Sequence, residues 1–179
     1  MEPQTGTPTA LLPLVLLGAI TLLGAVLRVH HAGIRPFWLD ENHTYHVVNE
    51  VDGFFAMLRF WWSTFHVSDP PLYYILNYPF TGGDPLASLF AMRVPGILFG
   101  VAAIPAMYAV ARLISTRPVA LAAAFCMAVN TFAVQYSQEY RPYSLLLLVT
   151  LLYLHAQILV MVRGHSRARW IWLLAASVA

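Results

Sequence analysis

Asp40 and Glu41 stand side by side in FWLDENHTYHVVNE, Phe37 to Glu50, and His43 and His46 follow at once. An adjacent carboxylate pair can divide acid–base work. One takes a proton from a nucleophile while the other orients it or holds a cation. His-x-x-His puts two imidazoles on one helix face, as zinc sites do, and Asp40 or Glu41 would complete such a shell. The plainer reading of the same residues is a helix start, because Asp caps N-termini and Glu suits the first turn.

Two further stretches carry acids. HVSDPPLYYIL holds His66 and Asp69 ahead of a Pro-Pro helix start. YSQEYRPYSLLLL holds Glu139 and Arg141 ahead of Pro142, which reads more plainly as a salt-bridged turn into a helix. Three acidic motifs on one surface, in a chain poor in charge, favour a site over accident. Arg35, Arg59, Arg93 and Arg141 fall on that side too. An arginine is what a phosphate leaving group needs.

The elements that must position these groups are membrane spans. Charged residues make up 10% of the chain and hydrophobic ones 59%; soluble domains carry about 25% charged residues. The mean hydropathy is +0.65. A bilayer helix needs about 20 mostly apolar residues. Apolar runs of that kind, with arginines only near their ends, are expected as spans at about 10–28, 86–112, 118–137 and 142–163, with Pro95 and Pro105 kinking the second. WIWLLAASVA begins a fifth at 170–179 and stops short, so the chain is expected to be a piece of something longer. The first run has no basic n-region and no clear cleavage site, and reads as an uncleaved span. His155, near the middle of the fourth span, reads as a packed or hydrogen-bonded residue. The single cysteine, Cys126, excludes an intrachain disulfide, and the net charge of +2 is too small and scattered for nucleic acid.

Arg112 and Arg117 lie between spans two and three, and Arg163, Arg167 and Arg169 after span four. The positive-inside rule puts these loops and the N-terminus in the cytoplasm. Residues 29–85 then form a long outer loop. TYHVVNEVDGFFAMLRFWW reads within it as one amphipathic interfacial helix and PPLYYILNYPF as a second. The expected fold is therefore an all-α integral membrane protein. It has about four complete transmembrane helices, a truncated fifth, and an outer loop carrying interfacial helices.

The order LDE, DPPLYYIL, MRVPGILFG, YSQEYRPY resembles the N-terminal part of the GT-C membrane glycosyltransferases. It is similar in particular to bacterial relatives of dolichyl-phosphate-mannose protein mannosyltransferase and of the lipid A aminoarabinose transferase. In those relatives a DE pair in the first outer loop precedes HPPLYY or KPPLYY, then R-x-P-S/G, then S-R-E-A-R-x-Y. The resemblance implies one multi-spanning domain, of which residues 1–179 are the N-terminal portion, inactive by itself. It implies a polyprenyl-phosphate sugar donor and a protein, glycolipid or polysaccharide acceptor. Transfer would take place, with inversion, on the outer face of the plasma (inner) membrane. It implies Asp40 as general base, Glu41 as its support or a cation ligand, and Glu139 as the second acid of the site. Asp69 replaces the relatives' His or Lys, so Arg141 or Arg93 would take the donor phosphate, with Tyr73 and Tyr143 also lining the substrate site. Metal use varies among the relatives; a divalent cation (Mg, Mn or Zn) is expected here at Glu41 and His43.

Two other classes compete with an enzyme. A non-catalytic membrane subunit or degenerate paralogue would bind a lipid-linked glycan or a partner. A transporter would use Glu139 and His155 as a proton relay, but only His155 lies deep in a span.

Overall fold

A computed structural model describes residues 11–64, 71–163 and residue 171. The expected fifth span, apart from residue 171, lies outside the described residues, as do His66 and Asp69. Eight helices, α1 to α8, and no strand occur among the described residues. Helices α1 (Leu12–Val29), α5 (Leu89–Ile114) and α8 (Tyr143–Arg163) are each long and apolar enough to cross a bilayer. Helices α6 (Arg117–Val129) and α7 (Thr131–Ser137) meet at a 55° bend; counted as one broken span they bring the three candidates to four. The chain is an all-α membrane protein.

These helices wear their apolar residues on the outside. Leu14, Val15, Leu22 and Val26 of α1 are exposed, as lipid-facing side chains are. Inward faces are small: Ala120, Ala124 and Ala128 of α6 recur every four residues and are fully buried. Such a stripe lets α1 and α5 approach closely. Central α5 packs against α1, α4, α6, α7 and α8. It continues as one helix through Pro95 and Pro105, and Ser88 Oγ caps it by accepting from the Ala91 N–H at 3.2 Å.

The expected span at 118–137 is instead broken. Asn130 ends α6 with extended backbone, and its side chain accepts from the Ala133 N–H at 2.9 Å to start α7. The connection between α1 and α5 differs as well. Among the described residues it holds three helices rather than two: α2 (Leu39–Val48), α3 (Phe54–Thr64) and α4 (Leu72–Thr81). The sequence read as one helix across residues 44–62 turns at Gly53, whose φ of 104° suits glycine. These three helices close over a core that includes Val47, Met57, Trp61, Tyr74, Met92 and Tyr140.

Candidate active site

Helix α2 begins after Trp38, and its first turn carries Asp40 and Glu41. The plainer reading of that pair as a helix start is thus met, though the N-cap is Trp38 and not Asp40, and Trp38 N–H faces Glu41 Oε2 at 3.5 Å. Glu41, however, is fully buried. Its Oε1 accepts from Arg93 Nε at 2.9 Å and from the Tyr140 N–H at 2.7 Å, while Oε2 accepts from Arg93 Nη2 at 2.8 Å. This is a two-pronged guanidinium–carboxylate pair, the strongest kind of charge-assisted hydrogen bonding a side chain makes.

Arg93 has no donor left over. Its Nη1 donates to the carbonyls of Ala32 at 2.8 Å and Arg35 at 2.9 Å, and Nη2 reaches that of Pro36 at 3.5 Å. With the two bonds to Glu41, all five guanidinium N–H groups are taken. The strand of chain between α1 and α2 is wrapped round this peg, with the Phe37 ring 5.8 Å from Arg93 Cζ. Arg93 was expected on donor phosphate and Glu41 as base support or cation ligand. Both are instead engaged in holding the fold.

The expected metal pair does not assemble. Glu41 faces inward and His43 outward on the same helix, because residues two apart lie on opposite faces. His46 Nδ1 pairs with Glu50 Oε2 at 2.5 Å on the exposed side. Among the described residues no three His, Cys, Asp or Glu side chains converge as a metal site would require. Glu41, already facing a guanidinium, is a poor cation ligand, and the residues present do not fit the implied cation at that place.

The remaining residues do meet. Asp40 is half-buried, with Oδ2 3.5 Å from Tyr143 Oη. Arg141 Nη1 donates to the Asp40 carbonyl at 3.4 Å, and Arg141 Cζ lies 5.9 Å from the Tyr143 ring. Residues more than 100 positions apart are thereby brought to one place. Glu139, half-buried, lines an adjoining cavity of about 410 Å³ with Arg35, Trp38, Glu41, Arg93 and Gln138. Its Oε1 accepts from Gln135 Nε2 at 3.5 Å, and its Oε2 is buried without a hydrogen-bond partner. Burial pushes the Glu139 carboxyl above its ordinary range, helped by the nearby Glu41 and opposed by the Gln135 bond.

Tyr73 was expected in the substrate site and is not there. It is 1% exposed, its ring 6.4 Å from that of Tyr140, and burial holds its phenol neutral. It is core. Tyr140 went unread in the sequence and joins two parts of the fold. Its N–H holds Glu41, and its Oη meets Asn49 Oδ1 at 3.1 Å and Thr81 Oγ1 at 3.3 Å. Tyr136 is a second residue that the motifs did not single out. It lines the polar cavity on one side and, on the other, an apolar groove of about 540 Å³. Met107, Met127, Phe132, Tyr143 and Leu147 help form that groove between α5, α6, α7 and α8. The rings of Tyr136 and Tyr143 lie 5.0 Å apart. A polar cavity with acids and a greasy groove thus share a tyrosine wall.

No curated protein and no solved structure matches the chain. The family model for dolichyl-phosphate-mannose-protein mannosyltransferase matches residues 85–179, from the approach to α5 onward. That range includes Arg93, Glu139, Arg141 and Tyr143 and begins after the Asp40–Glu41 pair. Together with the apolar helices and the shared cavity, the match is decisive: the chain belongs to the dolichyl-phosphate-mannose-protein mannosyltransferase family, a family of membrane glycosyltransferases.

Proposed function

We propose that this chain is the N-terminal part of a transferase that moves a sugar from a polyprenyl-phosphate donor to an acceptor hydroxyl. The acceptor is borne by a protein, a glycolipid or a polysaccharide. The observation that carries the reading is the meeting of Asp40, Arg141 and Tyr143 beside a polar cavity whose other wall opens on an apolar groove. A polyprenyl phosphate has that same division, with a long apolar tail and an anionic head.

In this reading the lipid tail lies in the groove and the phosphosugar lies against Asp40. Asp40 Oδ takes the proton of the acceptor hydroxyl, whose oxygen attacks the anomeric carbon from the face opposite the phosphate. The C–O bond to the lipid phosphate breaks, and configuration inverts. Arg141 stabilises the leaving phosphate, a role that the fully engaged Arg93 cannot take. Glu139, held in its neutral form more readily than an exposed carboxyl, hydrogen-bonds the sugar from the cavity wall. Arg112 and Arg117 set the cytoplasmic side by the positive-inside rule. The N-terminus is then cytoplasmic and the reaction faces the outside of the plasma (inner) membrane, where α2, α3 and α4 lie at the interface.

The test is transfer from a radiolabelled polyprenyl-phosphate sugar in membranes carrying the full-length protein, wild type against Asp40→Asn. Loss of a general base costs about 10²–10⁴-fold in rate. Equal rates in the two would remove Asp40 from the chemistry. No transfer by either, across several donors, would favour a non-catalytic subunit that only binds the lipid-linked glycan.

A further inference from the structure

Arg28 closes α1 and is completely buried, yet among the described residues it takes part in no ion pair. Its guanidinium goes to backbone instead. Nη1 donates to the carbonyls of Gly24 and Ala128, both at 3.0 Å, Nη2 to that of Met127 at 3.2 Å, and Nε to Ser137 Oγ at 3.2 Å. Met127 and Ala128 lie in the last turn of α6, where the break at Asn130 strips carbonyls of their helical partners. Within a span such orphaned carbonyls have no water to turn to. Arg28 of α1 therefore satisfies the end of α6.

The converse arrangement lies one helix further on. Gln138 follows α7 directly and is 5% exposed. Its amide nitrogen sits 3.2 Å from the Leu27 carbonyl, 3.1 Å from that of Arg28 and 2.7 Å from that of His30. Those are the orphaned carbonyls at the end of α1. The end of α6 is thus served by a side chain of α1, and the end of α1 by the side chain that follows α7. Glycines keep the space open. A Cβ on Gly100 would meet Ser137 Oγ at under 2 Å, and one on Gly24 would lie 2.3 Å from Ile104 Cδ1 and 3.2 Å from Arg28 Nη1.

The two halves of the candidate site hang from these ends. Asp40 and Glu41 follow α1, and Glu139, Arg141 and Tyr143 follow α7. We propose that Arg28 and Gln138 form a helix-end clasp, joining α1 to the broken α6–α7 pair, that registers the Asp40 half of the site against the Glu139 half. Both are positioning residues, Gln138 directly through its neighbour Glu139 and Arg28 through the end of α6. The inference rests on the transferase reading for its effect on turnover, and on the geometry alone for its effect on structure.

The experiment therefore has two readouts. In the full-length protein with Cys126 and any further cysteine replaced by Ala, a thiol is introduced by Glu139→Cys, or by Ala156→Cys as a reporter buried between α5 and α8. Maleimide labelling is followed with and without Gln138→Ala. Transfer is measured separately with the native Glu139. The clasp predicts labelling at position 139 at least tenfold faster in Gln138→Ala, with the reporter at 156 unchanged. It also predicts kcat at least tenfold lower, with KM for the donor within twofold. Labelling at 139 within twofold of the parent overturns the clasp. Faster labelling at both positions means that Gln138 holds the whole bundle, and overturns a positioning role. Unchanged kcat in a protein that does transfer sugar overturns it too. A wild type silent with every donor, whose position 139 still responds to Gln138→Ala, refutes the transferase reading and leaves the clasp standing.

Discussion

Glu41→Gln is the substitution whose outcome the structure determines most sharply. The change keeps shape and removes one charge. Glu41 and Arg93 have side chains only 1% and 2% exposed and meet at 2.8 Å. In the variant, an amide NH₂ would face Arg93 Nη2 or Nε donor to donor. The Arg93 carbonyl contacts would remain, but its charge would be buried without a counter-ion. Breaking a buried pair from one side costs about 3–5 kcal/mol, a drop of roughly 10²–10⁴ in the folding equilibrium. Arg93→Met should cost about as much, because it leaves the Glu41 carboxylate with backbone amides alone and frees the carbonyls of Ala32, Arg35 and Pro36. The double variant removes both charges. Its cost should fall short of the sum of the singles by about 0.5–3 kcal/mol, the usual range for directly coupled sites. The assay is unfolding of the full-length protein from mild detergent into a denaturing one, followed by tryptophan fluorescence. Single variants within 1 kcal/mol of wild type, or strict additivity in the double, would refute the assignment of this pair to the scaffold.

Arg141→Gln should lower kcat/KM for the donor by about 10²–10³-fold, the usual cost of removing one donor to a developing oxyanion; an unchanged donor titration would leave the phosphate without its proposed partner. Glu139 favours its neutral form in the fold, so its stabilising contribution is full below the ordinary carboxyl value of 4.5 and is lost as pH rises through the raised value. Glu139→Gln should therefore melt like the wild type in acid and increasingly above it as pH rises, and melting curves that keep a constant separation across pH would contradict this. Gly100→Ala should destabilise by about 1–3 kcal/mol or more, since the added methyl falls on Ser137. Gly18→Ala, with nothing within 4 Å of the new methyl, should stay within about 1 kcal/mol of wild type in the same unfolding assay.

The spans were legible because a bilayer imposes a length and forbids charge, and both constraints can be read from one sequence. The break at Asn130 was not, because an uncharged run stays uncharged whether or not its helix bends. Only the capping preference of asparagine hinted at it. In the connection between spans, the turn at Gly53 was visible as a residue type but lost among the helical spacing of its neighbours. At the candidate site, Asp40 of the first motif meets Arg141 and Tyr143 of the last, while Glu139 lines the cavity next to them. The division of labour was not legible. Glu41 and Arg93 carry opposite charges in a chain with few of either, so a pairing was open to inference. Nothing in their spacing said that each would use up the other. Tyr73 failed for a geometric reason: Tyr73, Tyr74, Asn77 and Thr81 make up the buried face of α4, and a motif does not say which way its helix is turned.

The Glu41–Arg93 pair also sets a timetable for synthesis. Glu41 leaves the ribosome 52 residues before Arg93 and 99 before the Tyr140 amide. At about 5–20 residues per second, its carboxylate exists for roughly 3–10 s before the Arg93 guanidinium is made. During that interval the first helix can insert, but the segment after it has no peg to wind around and must wait in water. The arrival of α5 delivers the arginine, and the stretch beyond α7 later delivers the amide. The part of the chain that carries Asp40 is thus among the earliest made and among the latest to be seated.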